Sequence, residues 1–74
     1  MRATMNDNQP SYSIIRLVNV IQLTGLSRST IYDKQNPRSP RYDPTFPKKV
    51  TLGARAVGWY FGEVEAWLKS IRVQ

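Results

Sequence analysis

The chain has 74 residues with neither cysteine nor histidine, which excludes disulfides, thiolate metal sites and an imidazole general base. Eleven lysines and arginines outnumber five scattered aspartates and glutamates, so the net charge is +6. We therefore expect one small domain that is not an enzyme and has no cofactor, metal or small-molecule ligand. With no signal peptide and no apolar run of membrane-spanning length, we expect a cytoplasmic protein without membrane contact.

The start of the chain differs in composition from the rest. Residues 1–13 are polar and contain one basic residue, which predicts a flexible N-terminal arm ahead of a domain over residues 14–74. Residues 14–17 form a short apolar run, which suits either a small strand or a segment packed in front of the first helix. Asn19 is a plausible N-cap for that helix.

Residues 20–32 are the most informative stretch and read as helix, tight turn, helix. Gly25 can adopt positive φ at little steric cost, as a helix C-terminus followed by a sharp turn requires. Ser27 is placed to cap a second helix over residues 28–35, which Asn36-Pro37 should end. This is the pattern of a helix-turn-helix, whose second helix commonly enters the DNA major groove.

The second half of the chain predicts a loop, a hairpin and a helix. Residues 37–47 hold four of the five prolines, and connections of this length in small domains are often functional. The runs 49–52 and 56–60 flank a short turn and predict a β-hairpin, with Gly53 and Gly58 as its backbone requirements. An amphipathic helix follows, with a buried stripe at helical spacing made of Val64, Trp67, Leu68 and Ile71. The fold class is therefore α+β and mostly helical, a small winged helix-turn-helix.

Several ordered motifs resemble those of the AlpA family of prophage regulators. They are Arg16-Leu17, Thr24–Tyr32, Phe46–Lys49, Leu52-Gly53, Val57–Trp59 and Glu63–Leu68. The resemblance covers roughly residues 15–70 and extends to the loop at 36–43. It implies a winged helix-turn-helix DNA-binding protein, related to the MerR and excisionase group, that activates an integrase gene or acts in excision. Gly62 departs from the pattern, because many relatives have a polar N-cap-like residue there, and this should affect stability more than function.

Basic residues are concentrated around the helix-turn-helix. Residues 28–55 hold seven of the eleven basic side chains and two of the five acidic ones, a distribution that suits a polyanionic partner. The residues expected to contact DNA lie on the second helix, the loop and the hairpin. They are Arg28, Ser29, Thr30, Tyr32, Lys34, Arg38, Arg41, Lys48, Lys49 and Arg55.

Individual side chains leave alternatives open. Arg28, in the first turn of the second helix, could pair with guanine O6 and N7 or meet only phosphate. Tyr32 could stack on the sugar-phosphate backbone or fold onto the core, and Thr30 is better suited to the helix start than to reading bases. Trp59 and Trp67 could offer a stacking platform for single strands, but their positions favour core packing.

The sequence predicts a sequence-specific regulator of a prophage or integrative element that binds double-stranded DNA. It would activate integrase transcription, promote excision, or both, with possible self-association on DNA. The alternative is a protein-interaction adaptor whose basic surface meets an acidic partner. Steep loss of DNA affinity with salt would distinguish the regulator from the adaptor.

Overall fold

A computed structural model describes residues 10–72, which form three helices and a three-stranded antiparallel sheet. In chain order these are β1 (Ile14–Ile15), α1 (Leu17–Thr24), α2 (Arg28–Gln35), β2 (Val50–Thr51), β3 (Val57–Tyr60) and α3 (Phe61–Arg72). The α+β class and the order helix, turn, helix, hairpin, helix agree with the sequence prediction. Residues 1–9 of the predicted arm lie outside the described residues. Within the described part, no helix is both long and apolar enough to cross a membrane.

The segment just before β1 is hydrogen-bonded to the start of α3. Phe61 N donates to Ser13 O at 2.8 Å and Gly62 N donates to Ser11 O at 2.8 Å, so two amides of the first helical turn are satisfied. A Cβ at Gly62 would lie 2.8 Å from Ser11 O, which a glycine avoids. Gly62 is thus the second residue of α3, not its N-cap, and it permits the close approach of this segment.

The predicted N-cap of α1 is wrong by three residues. The helix begins at Leu17 with Arg16 as its N-cap, and Asn19 lies inside the first turn. The Asn19 side chain is still used at this end, because its Oδ1 accepts from Arg16 N at 3.1 Å. The polar side chain was recognised correctly as a terminus signal, but it reaches back to the cap as in a capping box.

The sheet is built around β3. Strand β1 pairs with it through Ile14↔Tyr60 and Ile15↔Trp59, and β2 pairs on the other side. Of the two readings of residues 14–17, the strand is correct for the first two residues.

The two hairpin glycines have different roles. A Cβ at Gly58 would lie 2.9 Å from Ile15 O and would overlap the Ile14 side chain, so close packing of β1 on β3 requires glycine. Gly53 has no such neighbour within 4 Å and no positive φ, so the prediction of a backbone requirement is wrong there.

The core lies between the three helices and the inner face of the sheet. Its buried side chains are Ile15, Val20, Ile31, Phe46, Trp59, Phe61, Val64 and Trp67. The core placement of Trp59 and Trp67 is confirmed, since they are 0% and 7% exposed. Ile71 was predicted to be buried but is 43% exposed, because it lies in the last turn of α3, beyond the residues that pack on the core.

Candidate nucleic-acid interface

The turn between α1 and α2 is fixed by local bonds. Gly25 adopts φ 75°, as predicted, and its N–H donates to Ile21 O at 2.8 Å. Thr24 Oγ1 donates to Val20 O at 2.7 Å and accepts from Leu26 N at 3.1 Å. Because Leu26 also packs against the core, this short turn sets the orientation of α2 relative to α1.

The predicted Ser27 cap of α2 is confirmed. Ser27 Oγ accepts from Thr30 N at 3.2 Å and is bonded to Thr30 Oγ1 at 2.9 Å. Thr30 is half-buried and its hydroxyl is already used at the cap. The structure therefore gives Thr30 a role in starting the helix, and its contact with DNA stays a prediction.

Helix α2 has one face in the core and the opposite face in solvent. Ile31 is fully buried and anchors the helix. Arg28 and Ser29 are exposed in the first turn, and Tyr32 one turn later is 41% exposed. Arg28 and Tyr32 are four residues apart and so are neighbours on the helix surface. The major groove of B-DNA is wide enough to admit an α-helix that exposes such side chains.

The last turn of α2 is tied to the following loop. Lys34 O accepts from Asp43 N at 3.0 Å, and Lys34 Nζ lies 3.8 Å from Asp43 Oδ2. The same ammonium lies 5.7 Å from the centre of the Trp67 ring, within cation–π range. Lys34 thus has a structural role, and its predicted contact with DNA is untested.

Gln35 makes a second connection between α2 and the loop. Its Nε2 donates to Pro47 O at 3.1 Å across twelve residues of chain. Its Oε1 is buried without a hydrogen-bond partner among the described residues. The end of α2 and the end of the loop are therefore held together by a side-chain bond.

Residues 36–47 form a loop of consecutive turns. Three backbone amides each donate to a polar side chain two residues earlier in the chain, at 2.9 to 3.1 Å. The pairs are Arg38 N to Asn36 Oδ1, Arg41 N to Ser39 Oγ, and Thr45 N to Asp43 Oδ1. These are Asx-type and serine-type turns, which fix the backbone locally. The exposed side chains of Arg38 and Arg41 therefore extend from an ordered backbone.

Asp43 joins this loop to the core. Thr45 Oγ1 donates to Asp43 Oδ1 at 2.6 Å and accepts from Trp67 Nε1 at 3.2 Å. The hydrogen bond from the Thr45 hydroxyl, helped by the Thr45 amide and the Lys34 charge, lowers the pKa of Asp43 although burial opposes the shift. Phe46 packs edge-on against Trp67 with ring centres 4.9 Å apart. The loop is therefore an integral part of the hydrophobic core.

The loop and α2 enclose a basic cleft. A cleft of about 200 Å³ is lined by Lys34, Lys48 and Lys49 together with Tyr42 and Phe46. A shallower groove adjoins it and is lined by Tyr32 and Lys49, among others. Four predicted DNA-contact residues from separate segments, Tyr32, Lys34, Lys48 and Lys49, are thus brought to one surface. Arg55 is exposed in the turn that joins β2 to β3.

Several residues of α2 and the loop were not among the predicted contacts, and they include Asp33, Gln35 and Tyr42. Asp33 is paired with Arg41, with Oδ2 and Nη1 3.5 Å apart. Asp33 follows Ser29 by four residues, so helical spacing already predicts that the two are neighbours on the helix surface. Gln35 and Tyr42 line the cleft through loop packing, for which the sequence carries no local signal.

Comparison with known proteins identifies relatives of this chain. The family described as Prophage CP4-57 regulatory protein (AlpA) matches residues 13–73. The DNA-binding transcriptional activator AlpA of Escherichia coli strain K12 is 55% identical over 62 residues, which cover 84% of this chain and 89% of that protein.

A second relative comes from a phage. The uncharacterized protein ORF88 of Enterobacteria phage P4 is 41% identical over 54 residues, or 73% of this chain and 54% of that protein. No solved structure matches the chain. The family match spans the whole helix-turn-helix, the loop, the hairpin and all of α3. The chain belongs to the AlpA family of prophage regulatory proteins.

Proposed function

We propose that this protein is a sequence-specific regulator that binds double-stranded DNA of a prophage or integrative element. The observation that carries the proposal is the exposed surface of α2, where Arg28, Ser29 and Tyr32 lie in solvent while the buried Ile31 anchors the helix in the core. A basic loop and two lysines lie beside this face, and the E. coli relative is named as a DNA-binding transcriptional activator.

The arrangement suggests how the domain would sit on a duplex. Helix α2 enters the major groove with its N-terminal residues toward base edges, as in other helix-turn-helix proteins. Arg28 is placed to pair with a guanine, and Lys48 and Lys49 to neutralise phosphates. Arg55, in the hairpin turn, is placed to grip an adjacent phosphate or the minor groove.

The regulatory role would be activation of integrase transcription, direct action in excision, or both. The name of the E. coli relative favours transcriptional activation. Few side chains of such a small domain can read bases, so one copy should bind weakly. Several adjacent sites, or self-association on DNA, would then supply the affinity.

Fluorescence anisotropy tests the proposal. Labelled duplexes carrying the integrase promoter and the attachment region of the element are titrated separately, with scrambled DNA of equal length as control. Sequence-specific binding predicts tighter binding to at least one native duplex, and this preference should persist from low to physiological salt. A promoter reporter in cells that lack the attachment sites then separates activation from excision.

Equal binding to all duplexes that disappears at physiological salt would contradict the proposal. The basic surface would then serve another partner, and the adaptor function would replace DNA regulation. Retained preference for the attachment duplex alone would assign the protein to excision.

A further inference from the structure

The basic stretch from Arg28 to Arg55 contains two carboxylates with different surroundings. Asp43 is engaged by the Thr45 hydroxyl, the Thr45 amide and the Lys34 ammonium. Asp33 has one charged partner among the described residues, Arg41, at 3.5 Å. The Asp43 carboxylate therefore stabilises the loop, whereas the Asp33 carboxylate can accept hydrogen bonds from another partner.

Asp33 lies on the side of α2 that faces DNA in the proposed complex. It follows Ser29 by four residues and Tyr32 by one, and its side chain is 37% exposed. A carboxylate at this position is repelled by phosphates, so on its own it opposes binding to any duplex. Its presence on a basic surface therefore requires a compensating contact.

Arg41 neutralises the Asp33 carboxylate in the free protein and is able to leave it when DNA binds. Its backbone N–H is bonded to Ser39 Oγ at 3.1 Å, which fixes the base of the side chain. The side chain itself is 75% exposed, and exposed ion pairs contribute little to stability. A nearby DNA phosphate can therefore take the guanidinium from Asp33 at little cost, since Arg also binds phosphate in bidentate geometry.

The chemistry of the carboxylate restricts what it can contact in the groove. An ionised aspartate only accepts hydrogen bonds. In the major groove cytosine presents the N4 amine as a donor, whereas the adenine amine adjoins the N7 acceptor, which repels a carboxylate. The base pair that best suits an isolated carboxylate is therefore one with cytosine on the contacted strand.

We propose that Asp33 is a specificity-determining residue that accepts a hydrogen bond from a cytosine amine when Arg41 transfers to a phosphate. This inference rests on the proposed DNA-binding function. Arg41 masks the carboxylate in the free protein, and the carboxylate discriminates against duplexes that lack the cytosine. The pair thus links phosphate binding by the loop to base reading by α2.

Selection from randomised duplexes tests this role. Wild-type protein, Asp33→Asn and Glu65→Gln are each used to enrich binding sites from the same library. Glu65 is the matched control because it is also a partly exposed, loosely paired carboxylate, 4.0 Å from Lys69, but lies on α3. Thermal unfolding of each variant confirms that the domain is folded.

The expected result is a changed preference at one base pair. Wild type and Glu65→Gln should favour cytosine there by about 5- to 10-fold, at the low end of what a bidentate contact provides. Asp33→Asn should lose that preference or replace it with adenine, because asparagine pairs with adenine N6 and N7. Arg41→Ala should weaken binding to all duplexes alike and leave the preferred base unchanged.

Three outcomes would overturn the inference in distinguishable ways. If wild type enriches defined sites and Asp33→Asn enriches the same ones, Asp33 does not read a base. If Arg41→Ala removes the cytosine preference, Arg41 positions Asp33 instead of masking it. If wild type enriches no sequence at all, the proposed function fails and this inference fails with it.

Discussion

The two ends of α2 are built for different tasks. Its first turn is capped by Ser27 and leaves Arg28 and Ser29 in solvent. Its last turn is tied to the loop through Lys34 and Gln35, which bond to Asp43 and Pro47. The N-terminal end of α2 exposes side chains to solvent, whereas side chains at the C-terminal end bond to the loop and hold the helix in place.

This division shows how a chain of 74 residues can hold α2 rigidly at one end and leave the other end exposed. Small domains bury a limited fraction of their surface and are marginally stable, so each side chain that contacts DNA is withdrawn from the fold. The long loop compensates by adding Phe46 to the core beneath the C-terminal end of α2. Substitutions at the C-terminal end should therefore lower stability, and those at the N-terminal end should lower DNA binding.

The largest effect is expected at the loop. Phe46→Ala removes a ring that is 3% exposed and packs against Trp67, which should lower the free energy of unfolding by about 3–5 kcal/mol. Urea denaturation followed by circular dichroism measures the change. Tyr42→Ala, in the same loop but 36% exposed, is the control and should change stability far less. A loss for Phe46→Ala as small as that expected for Tyr42→Ala would mean that the loop does not belong to the core.

A substitution at the exposed N-terminal end of α2 should lower DNA affinity and leave stability unchanged. Arg28→Ala should weaken specific DNA binding by about 1–3 kcal/mol if the guanidinium reads a guanine, while the unfolding midpoint stays within error. Anisotropy titrations on the preferred duplex and on scrambled DNA measure the specific and the non-specific affinity. Thermal unfolding measures the midpoint. Lys69→Ala is the control, because it removes one exposed positive charge from α3. If the two variants weakened DNA binding equally, Arg28 would contribute only a non-specific positive charge.

The turn that joins the helices offers a smaller and purely conformational test. Gly25→Ala places a side chain at φ 75°, which costs about 1–2 kcal/mol in the left-handed region. Gly53→Ala is the matched control, since nothing lies within 4 Å and φ is not positive there. That variant should be neutral or slightly stabilising. Thermal unfolding would contradict this assignment if the two substitutions lowered the midpoint equally.

The contrast between the two ends also explains what the sequence could predict. The bounds of α2, the positive φ at Gly25 and the Ser27 cap follow from residues within a few positions of one another. The pairing of β1 with β3 and the contact of Gln35 with Pro47 join distant residues, so no local pattern indicates them. Ile71 has correct helical spacing but lacks a surface to pack against, which periodicity alone does not reveal.

The pH dependence of stability provides the finest test, because it isolates one loop carboxylate that is bonded to the last turn of α2. The pKa of Asp43 is lowered in the folded state, chiefly by the Thr45 hydroxyl bond. A lowered folded-state pKa means that the unfolded chain binds the proton more tightly. The contribution of Asp43 to the free energy of unfolding is therefore complete above roughly pH 5 and is lost as pH falls through the folded pKa.

Asp43→Asn should lower the free energy of unfolding by about 1 kcal/mol at neutral pH, and this free energy should then decline less steeply as the pH becomes acidic. Asp33→Asn is the control, because it removes a carboxylate whose ion pair with Arg41 is exposed, and it should lower the free energy of unfolding at neutral pH much less. If Asp33→Asn lowered the free energy of unfolding at neutral pH as much as Asp43→Asn, both carboxylates would hold the fold and the division between the two ends of α2 would not stand.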